Sequence, residues 1–202
     1  MSEVIKKIQE MVEKKGYEKR PEFEELMVSC KYEKLSPEDV LFLAELYGGI
    51  RSLFIRNVIL QVLVFYEDTD LKTFFQNAFQ KERYLDMRLW AIRGFAAYAL
   101  EDEVEKMMNK FIDTLKKRPR NTPYNYQEYE QIRSVFGLPY LIKRYGYFCF
   151  SRAYEQEEKQ YHAMPNAFKG HFTLDELGDY VSLRAPAETT KMLEDFFKHK
   201  NA

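Results

Sequence analysis

The stretch from Asp86 to Leu100, DMRLWAIRGFAAYAL, limits the possible folds of this 202-residue chain more than any other. Its apolar residues follow the i, i+3, i+4, i+8 spacing of a helical face. Small residues such as Gly94 allow neighbouring helices to approach closely, while Trp90 and Phe95 fill the space between them. The stretch therefore predicts a helix that is buried on more than one side, in the middle of a stack of helices.

The arginine and apolar positions of this stretch recur elsewhere in the chain. Residues 50–58, IRSLFIRNV, align with residues 87–95, MRLWAIRGF, at a spacing of 37 residues (87 − 50). A weaker third copy, IRSVF, lies at residues 132–136, which is 45 residues further on (132 − 87). Glu45 and Glu82 each precede the first arginine of their copy by six positions (51 − 45 and 88 − 82). Self-similarity in this range predicts repeats made of paired helices.

This order of acid, arginines and apolar positions resembles the turn and second helix of a HEAT repeat, over residues 36–145. Phe54 and Phe136 replace the small residue of that pattern, and Gln127 replaces the acid in the third copy. The resemblance implies a ladder of ion pairs between successive repeats. Its members would be Glu45, Glu82, Arg51, Arg88 and Arg133.

Helix start and stop signals predict an all-α fold without strands. Ser2 and the Ser36–Asp39 segment are expected to cap helices, and Thr173–Glu176 is interpreted as a third capping box. One long helix is expected from Pro139 to about Ala163. The predicted architecture is a set of antiparallel helix pairs, stacked as a short HEAT-like right-handed solenoid or packed as an irregular helical bundle.

We expect residues 1–202 to form one all-helical domain. Residues 1–35 would supply N-terminal helices, residues 36–145 three degenerate helix-pair repeats, and residues 146–202 C-terminal helices that could cap the array. The N-terminus is charged throughout, unlike a secretory signal, and no apolar run approaches the ~20 residues of a membrane span. The two cysteines lie in no pairing motif, which favours a cytoplasmic protein with reduced thiols.

The sequence contains no pattern that indicates catalysis, a metal or a cofactor. Its three histidines are scattered, and the pair Glu158 and His162, one helical turn apart, has no second pair to complete a metal site. Cys149 lies between two phenylalanines, as expected of a buried structural thiol. No catalytic residue is therefore predicted.

Tyrosine is the unusual signal, because eight of the 15 tyrosines lie between Tyr124 and Tyr161. Tyrosine and arginine are enriched at the energetic centres of protein interfaces. The alternative is that these tyrosines are core residues whose hydroxyls reach the surface. The candidate partner-binding residues are Arg56, Arg93, Tyr124, Tyr126 and Tyr129.

These observations favour a non-catalytic protein-binding helical repeat domain, an adaptor or an inhibitor such as an immunity protein against a bacterial toxin. One alternative is a HEAT-like nucleic-acid-binding protein related to DNA alkylation repair, although the net charge of −1 gives no overall attraction for nucleic acid or for an anionic membrane. Its groove would be lined by Arg51, Arg56, Arg88, Arg93, Arg133, Lys143 and Arg144. The other alternative is an enzyme, which requires a cavity with paired carboxylates or with Glu158 and His162.

Overall fold

A computed structural model describes residues 1–118, 126–175 and 178–200; the side chains of residues 126, 127 and 200 are not described. Helices account for most of these residues, which confirms the all-α prediction. The helices are α1 (Glu3–Val12), α2 (Pro21–Ser29), α3 (Pro37–Gly49), α4 (Leu53–Leu63), α5 (Lys72–Lys81), α6 (Leu85–Ala96), α7 (Glu101–Lys117), α8 (Tyr126–Arg133), α9 (Leu138–Tyr145), α10 (Phe148–Ala163) and α11 (Pro186–Lys200). Two short strands, β1 (Phe172–Leu174) and β2 (Tyr180–Ser182), lie between α10 and α11. Within the described ranges, no helix is both long and apolar enough to cross a membrane.

The helix starts that were predicted at Ser2 and Ser36 are confirmed. The Ser2 hydroxyl accepts the Ile5 N–H at 3.4 Å, and Ser36 and Asp39 form a reciprocal capping box. The Asp39 carboxylate also accepts the Ser2 N–H at 3.0 Å, so one buried side chain joins the starts of α1 and α3. Burial alone would raise the pKa of Asp39, but hydrogen bonds from the Ser36 and Ser2 N–H groups lower it below its ordinary value.

The expected long helix from Pro139 to Ala163 is wrong. The chain forms α9 and α10 instead, and α9 ends at Gly146, which has a left-handed φ of 68°. Glycine adopts this conformation without the steric cost that a Cβ adds. Pro139 lies in the first turn of α9, where its missing N–H leaves no helical hydrogen bond unmade.

Thr173 was expected to begin a capping box with Glu176, but Thr173 lies in β1, and Glu176 lies outside the described residues. The expectation of no strands is wrong. β1 and β2 pair antiparallel, with Phe172 opposite Ser182 and Leu174 opposite Tyr180. The turn between them includes Gly178 at φ 80°. Strands of three residues are too short to show clean alternation in the sequence, which explains why they were missed.

Two compact units divide the chain. The first contains residues 1–81 and 90–99, and the second contains residues 82–89 and 100–202. In the first unit, α2 packs on α1 and α4, and α3 packs on α4. In the second, α10 packs on α7, α8 and α9, and β1 lies against α8. The expectation of one domain, with repeats at residues 36–145 and a C-terminal cap, stays a prediction.

Helix α6 contributes residues to both units and is buried as predicted. Every residue from Leu89 to Ala96 is buried. A Cβ at Gly94 would lie 2.2 Å from a ring atom of Phe75, so only glycine allows this approach. Close packing, rather than backbone conformation, therefore explains the glycine at this position.

Candidate functional site

Arg56 and Arg88 occupy equivalent positions, because each lies three residues after the first residue of its helix, α4 or α6. The Arg56 Nη1 donates to the carbonyl oxygens of Ile50 at 3.3 Å and Arg51 at 2.9 Å. The Arg88 Nε donates to the carbonyl oxygen of Glu82 at 2.7 Å. Each guanidinium thus donates to the carbonyl oxygen six residues before it. If the two copies are aligned by these equivalent arginines, their spacing is 32 residues (88 − 56), which we call the structural register.

This register differs from the 37-residue spacing that pairs Arg51 with Arg88 in the sequence. Arg51 precedes α4 and is exposed, and Arg133 is the last residue of α8. Glu45 is exposed, whereas Glu82 is buried and lies close enough to Arg88 to favour its charged form. The structure therefore gives the predicted ladder residues different environments. The ladder itself stays a prediction.

Arg133 is the centre of a polar cluster between α8 and α10. Its Nη2 lies 2.9 Å from Glu158 Oε1, and its Nη1 lies 3.6 Å from Glu157 Oε1. The guanidinium carbon stands 3.7 Å from the centre of the Tyr161 ring, within cation–π range. The Tyr161 hydroxyl in turn donates to Glu130 at 2.8 Å. The cluster holds α10 against α8.

Glu157 is the most buried acid of this cluster, with 0 % of its surface exposed. Burial raises the pKa of Glu157 to about 8. The positive charge of Arg133 lowers this pKa, whereas the nearby Glu158 and Glu130 raise it further. At neutral pH its carboxyl is therefore mostly protonated, and Glu158 provides the negative charge that pairs with Arg133. His162 lies 3.3 Å from the other oxygen of Glu158, at the exposed side of the cluster.

A second buried acid, Glu128 of α8, caps the start of α6. Its Oε1 accepts the Leu85 N–H at 2.7 Å and the Arg118 Nη2 at 2.9 Å. Burial raises the pKa of Glu128 to about 7 in spite of these two bonds. Sequence reasoning missed Glu128 in this role, because it contacts a helix whose start lies 43 residues earlier in the chain (128 − 85).

These acids do not form a recognisable reaction centre. Glu157 is sealed from solvent, and Arg133 holds Glu158. Among the described residues, no group of three or more histidines, cysteines and acids could hold a metal ion. The arrangement can store a proton at Glu157, and its geometry fits a structural role between helices.

The partner-binding candidates lie in different places. Arg93 is 7 % exposed, with its guanidinium 5.2 Å from the Phe65 ring centre and 5.4 Å from that of Trp90. Tyr129 is fully buried. Both side chains are buried within the chain, and their role in partner binding stays a prediction. Arg56 is half-buried on backbone carbonyls; Tyr124 and the side chain of Tyr126 lie outside the described part.

An aromatic surface lies at the junction of α9 and α10, and we define it as Tyr140, Arg144, Tyr145, Tyr147 and Phe148. Phe148 is 70 % exposed, although it is a large apolar residue. The Arg144 guanidinium donates to the Tyr140 hydroxyl and lies 5.4 Å from the Tyr145 ring centre. The ring centres of Tyr145 and Tyr147 are 5.6 Å apart.

The aromatic surface is fixed to the core of the second unit. The Tyr147 ring stacks on the buried Phe150 ring, with 5.7 Å between centres and 13° between planes. The tyrosine-rich sequence indicated this region, but the particular residues depend on the break at Gly146 and could not be read from tyrosine density.

The fold and this surface define a broad class, an all-α chain that presents an aromatic surface with an arginine among its rings. Comparisons with protein-family models, curated proteins and solved structures found no match for the chain.

Proposed function

We propose that the protein is a non-catalytic protein-binding helical domain, an adaptor or an inhibitor, and that it contacts a partner protein through the aromatic surface. The observation that carries this proposal is the placement of Arg144 against Tyr140 and Tyr145. Phe148, which follows Tyr147 in the chain, is 70 % exposed. Tyrosine, arginine and other aromatic residues are the types that dominate the energy of protein interfaces.

The geometry of the surface supports this proposal beyond its composition. Stacking of Tyr147 on Phe150 and the contacts of Arg144 restrict the side chains before a partner arrives. Ordering a flexible side chain at an interface costs roughly 0.5–1.5 kcal/mol, so a restricted surface loses less free energy on binding. The exposed Phe148, at the start of α10, adds apolar area that a partner can bury.

The repeat interpretation is part of the proposal. The equivalent placement of Arg56 and Arg88 supports two related helix pairs, α3 with α4 and α5 with α6, that resemble HEAT repeats. An immunity protein that neutralises a bacterial toxin is one concrete form of such an inhibitor. The proposal includes a cytoplasmic location, where the two free buried thiols would stay reduced.

Nucleic-acid binding is less well supported, because the basic groups expected in a groove have internal contacts. Arg56 and Arg88 bind carbonyl oxygens, Arg93 is buried against rings, and Arg133 pairs with acids. Phosphate binding requires such groups to face solvent.

The proposal is tested by capture of partners on the immobilised full-length chain, with lysate of its own source. We expect one stoichiometric protein to be retained at physiological salt, and Phe148→Ala or Arg144→Ala to reduce its recovery at least about tenfold. The matched control is Phe54→Ala, which removes a 49 % exposed phenylalanine from α4. Equal recovery by Phe148→Ala and Phe54→Ala would exclude the aromatic surface, and retention of nucleic acid instead of protein would overturn the proposed function.

A further inference from the structure

A groove of about 520 Å³ lies between α3 and α5 in the first unit, far along the chain from the aromatic surface. We call it the α3–α5 groove. Its floor is formed by the buried Tyr47, Leu71 and Ala78, and Phe74 is half-buried at its side. Leu41 is 47 % exposed at the rim. The groove is therefore mainly apolar and open to solvent.

The last residue of α5 reaches the C-terminal end of α3 at one end of the groove. Lys81 Nζ donates to the Tyr47 and Gly48 carbonyl oxygens at 3.1 and 3.0 Å. The Lys81 ammonium thus offsets the negative end of the α3 dipole. The Tyr47 ring centre lies 5.1 Å from that of Phe74, in the first turn of α5.

The opposite end of the groove is acidic. Asp70 lines the groove there, and Glu67 and Asp68 precede it in an exposed loop. All three carboxylates lie near the Tyr98 hydroxyl: burial first, then Glu67, Asp70 and Asp68, raise the pKa of Tyr98 to about 12. The nearby Lys72 ammonium lies 5.7 Å from the Phe95 ring centre.

Glu45 of α3 is the second acid of the groove, in addition to Asp70. It lines the groove and is exposed. The charged residues of the lining are therefore two exposed acids, Glu45 and Asp70, and one lysine, Lys81, which is hydrogen-bonded to the end of α3.

We propose that the α3–α5 groove binds a basic amphipathic helix of a partner protein, with its apolar face over Leu41 and Phe74 and its lysines or arginines toward Glu45 and Asp70. Helices that lie in apolar grooves are a common mode of peptide recognition. The charge of the rim decides the type of helix, because an acidic helix would meet like charge. This surface belongs to a different unit from the aromatic surface and does not depend on it.

The probe is a labelled peptide of about 14 leucine and lysine residues, which spans about 21 Å as a helix. Fluorescence anisotropy measures its binding to the full-length chain, and a peptide with glutamate in place of each lysine is the charge control. We expect Kd for the lysine peptide to rise at least about tenfold in Glu45→Lys and in Leu41→Lys. Circular dichroism melts confirm that each variant is folded.

Glu38→Lys is the matched control, because Glu38 is exposed on the same helix but does not line the groove. We expect Glu38→Lys to change Kd less than about twofold. Equal loss in Glu38→Lys and Glu45→Lys would mean unspecific attraction and would overturn the groove proposal, as would equal binding of the glutamate peptide or no binding up to about 1 mM.

The outcome is distinguishable from that of the proposed function. Phe148→Ala should leave peptide binding unchanged, whereas Glu45→Lys should leave unchanged any capture through the aromatic surface. Loss of peptide binding in Phe148→Ala would contradict an independent groove site.

Discussion

At the scale of single residues, Arg88 is the clearest structural arginine of the chain. It donates to the Glu82 carbonyl oxygen at 2.7 Å and to the Thr114 hydroxyl at 2.9 Å. We expect Arg88→Ala to lower the free energy of unfolding by ~1–3 kcal/mol, because these partners lose a charged donor. Urea denaturation measures the change.

Arg51→Ala is the control for this prediction, since Arg51 is the residue that the 37-residue spacing makes equivalent to Arg88. Its side chain is exposed, so we expect a change within about ±0.5 kcal/mol. Equal destabilisation by the two substitutions would favour the 37-residue register over the structural register of 32.

The raised pKa of Glu157 leads us to expect that the stability of the protein falls as pH rises. This pKa rises from the ordinary 4.5 to about 8 on folding, so the folded state binds more protons than the unfolded state between these values. The contribution is therefore fully present below pH 4.5 and is lost as pH rises toward 8, at up to about 1.4 kcal/mol per pH unit. Glu157→Gln removes the carboxyl group that titrates. It should therefore remove this part of the dependence of stability on pH.

The measurement is the free energy of unfolding of the wild type and of Glu157→Gln at several pH values between about 5 and 8. The free energy of unfolding of Glu157→Gln, relative to that of the wild type, should increase as pH rises. Glu155→Gln, an exposed position of the same helix, should show the wild-type slope. Parallel curves for wild type and Glu157→Gln would show that Glu157 is already ionised in the folded protein.

At the scale of helices and turns, the end of α9 depends on one glycine. Gly146 has φ 68°, and no atom lies within 4 Å of a Cβ built there. An alanine would therefore be destabilising only because its backbone must adopt a left-handed conformation. We expect Gly146→Ala to destabilise the protein by ~1–2 kcal/mol in thermal or urea unfolding. Gly49→Ala, at a helical glycine with equally open surroundings, should be neutral or stabilising.

The starts and ends of the helices show what the local sequence could predict. Ser36, Pro37 and Asp39 start α3 because capping is decided within four residues. Gly146 was not foreseen as a helix end, because the apolar and polar pattern on both sides suits either one helix or two. The hairpin was missed because strands of three residues depend on each other for pairing. Local signals therefore predicted the helix starts at Ser2 and Ser36, whereas the break at Gly146 and the pairing of β1 with β2 could not be predicted from the local pattern.

The candidate site was harder to predict than the fold class. Tyr129 and Arg93 have the composition of interface residues, but helical position buries them against neighbours that are distant in sequence. The segment with the highest tyrosine density contains the residues of the aromatic surface, whose role in binding stays a proposal. Which tyrosines reach solvent depends on the turn between α9 and α10, and a sequence pattern does not reveal this.

At the scale of the whole molecule, α6 is one continuous helix whose residues belong to both compact units. Residues 85–89 contribute to the second unit and residues 90–96 to the first. Unfolding either unit would remove the packing that buries part of this helix. Since short helices are marginal without tertiary packing, we expect the two units to unfold together.

Trp90 makes this expectation measurable, because it is the only tryptophan, is 1 % exposed and belongs to the first unit. Its fluorescence reports on the first unit, while far-ultraviolet circular dichroism reports on helices of both. In urea, the two signals should give one midpoint and one slope, because α6 couples the units. A tryptophan transition that precedes or follows the loss of helix would show that the helix can fray between Leu89 and Trp90, and that the units fold independently.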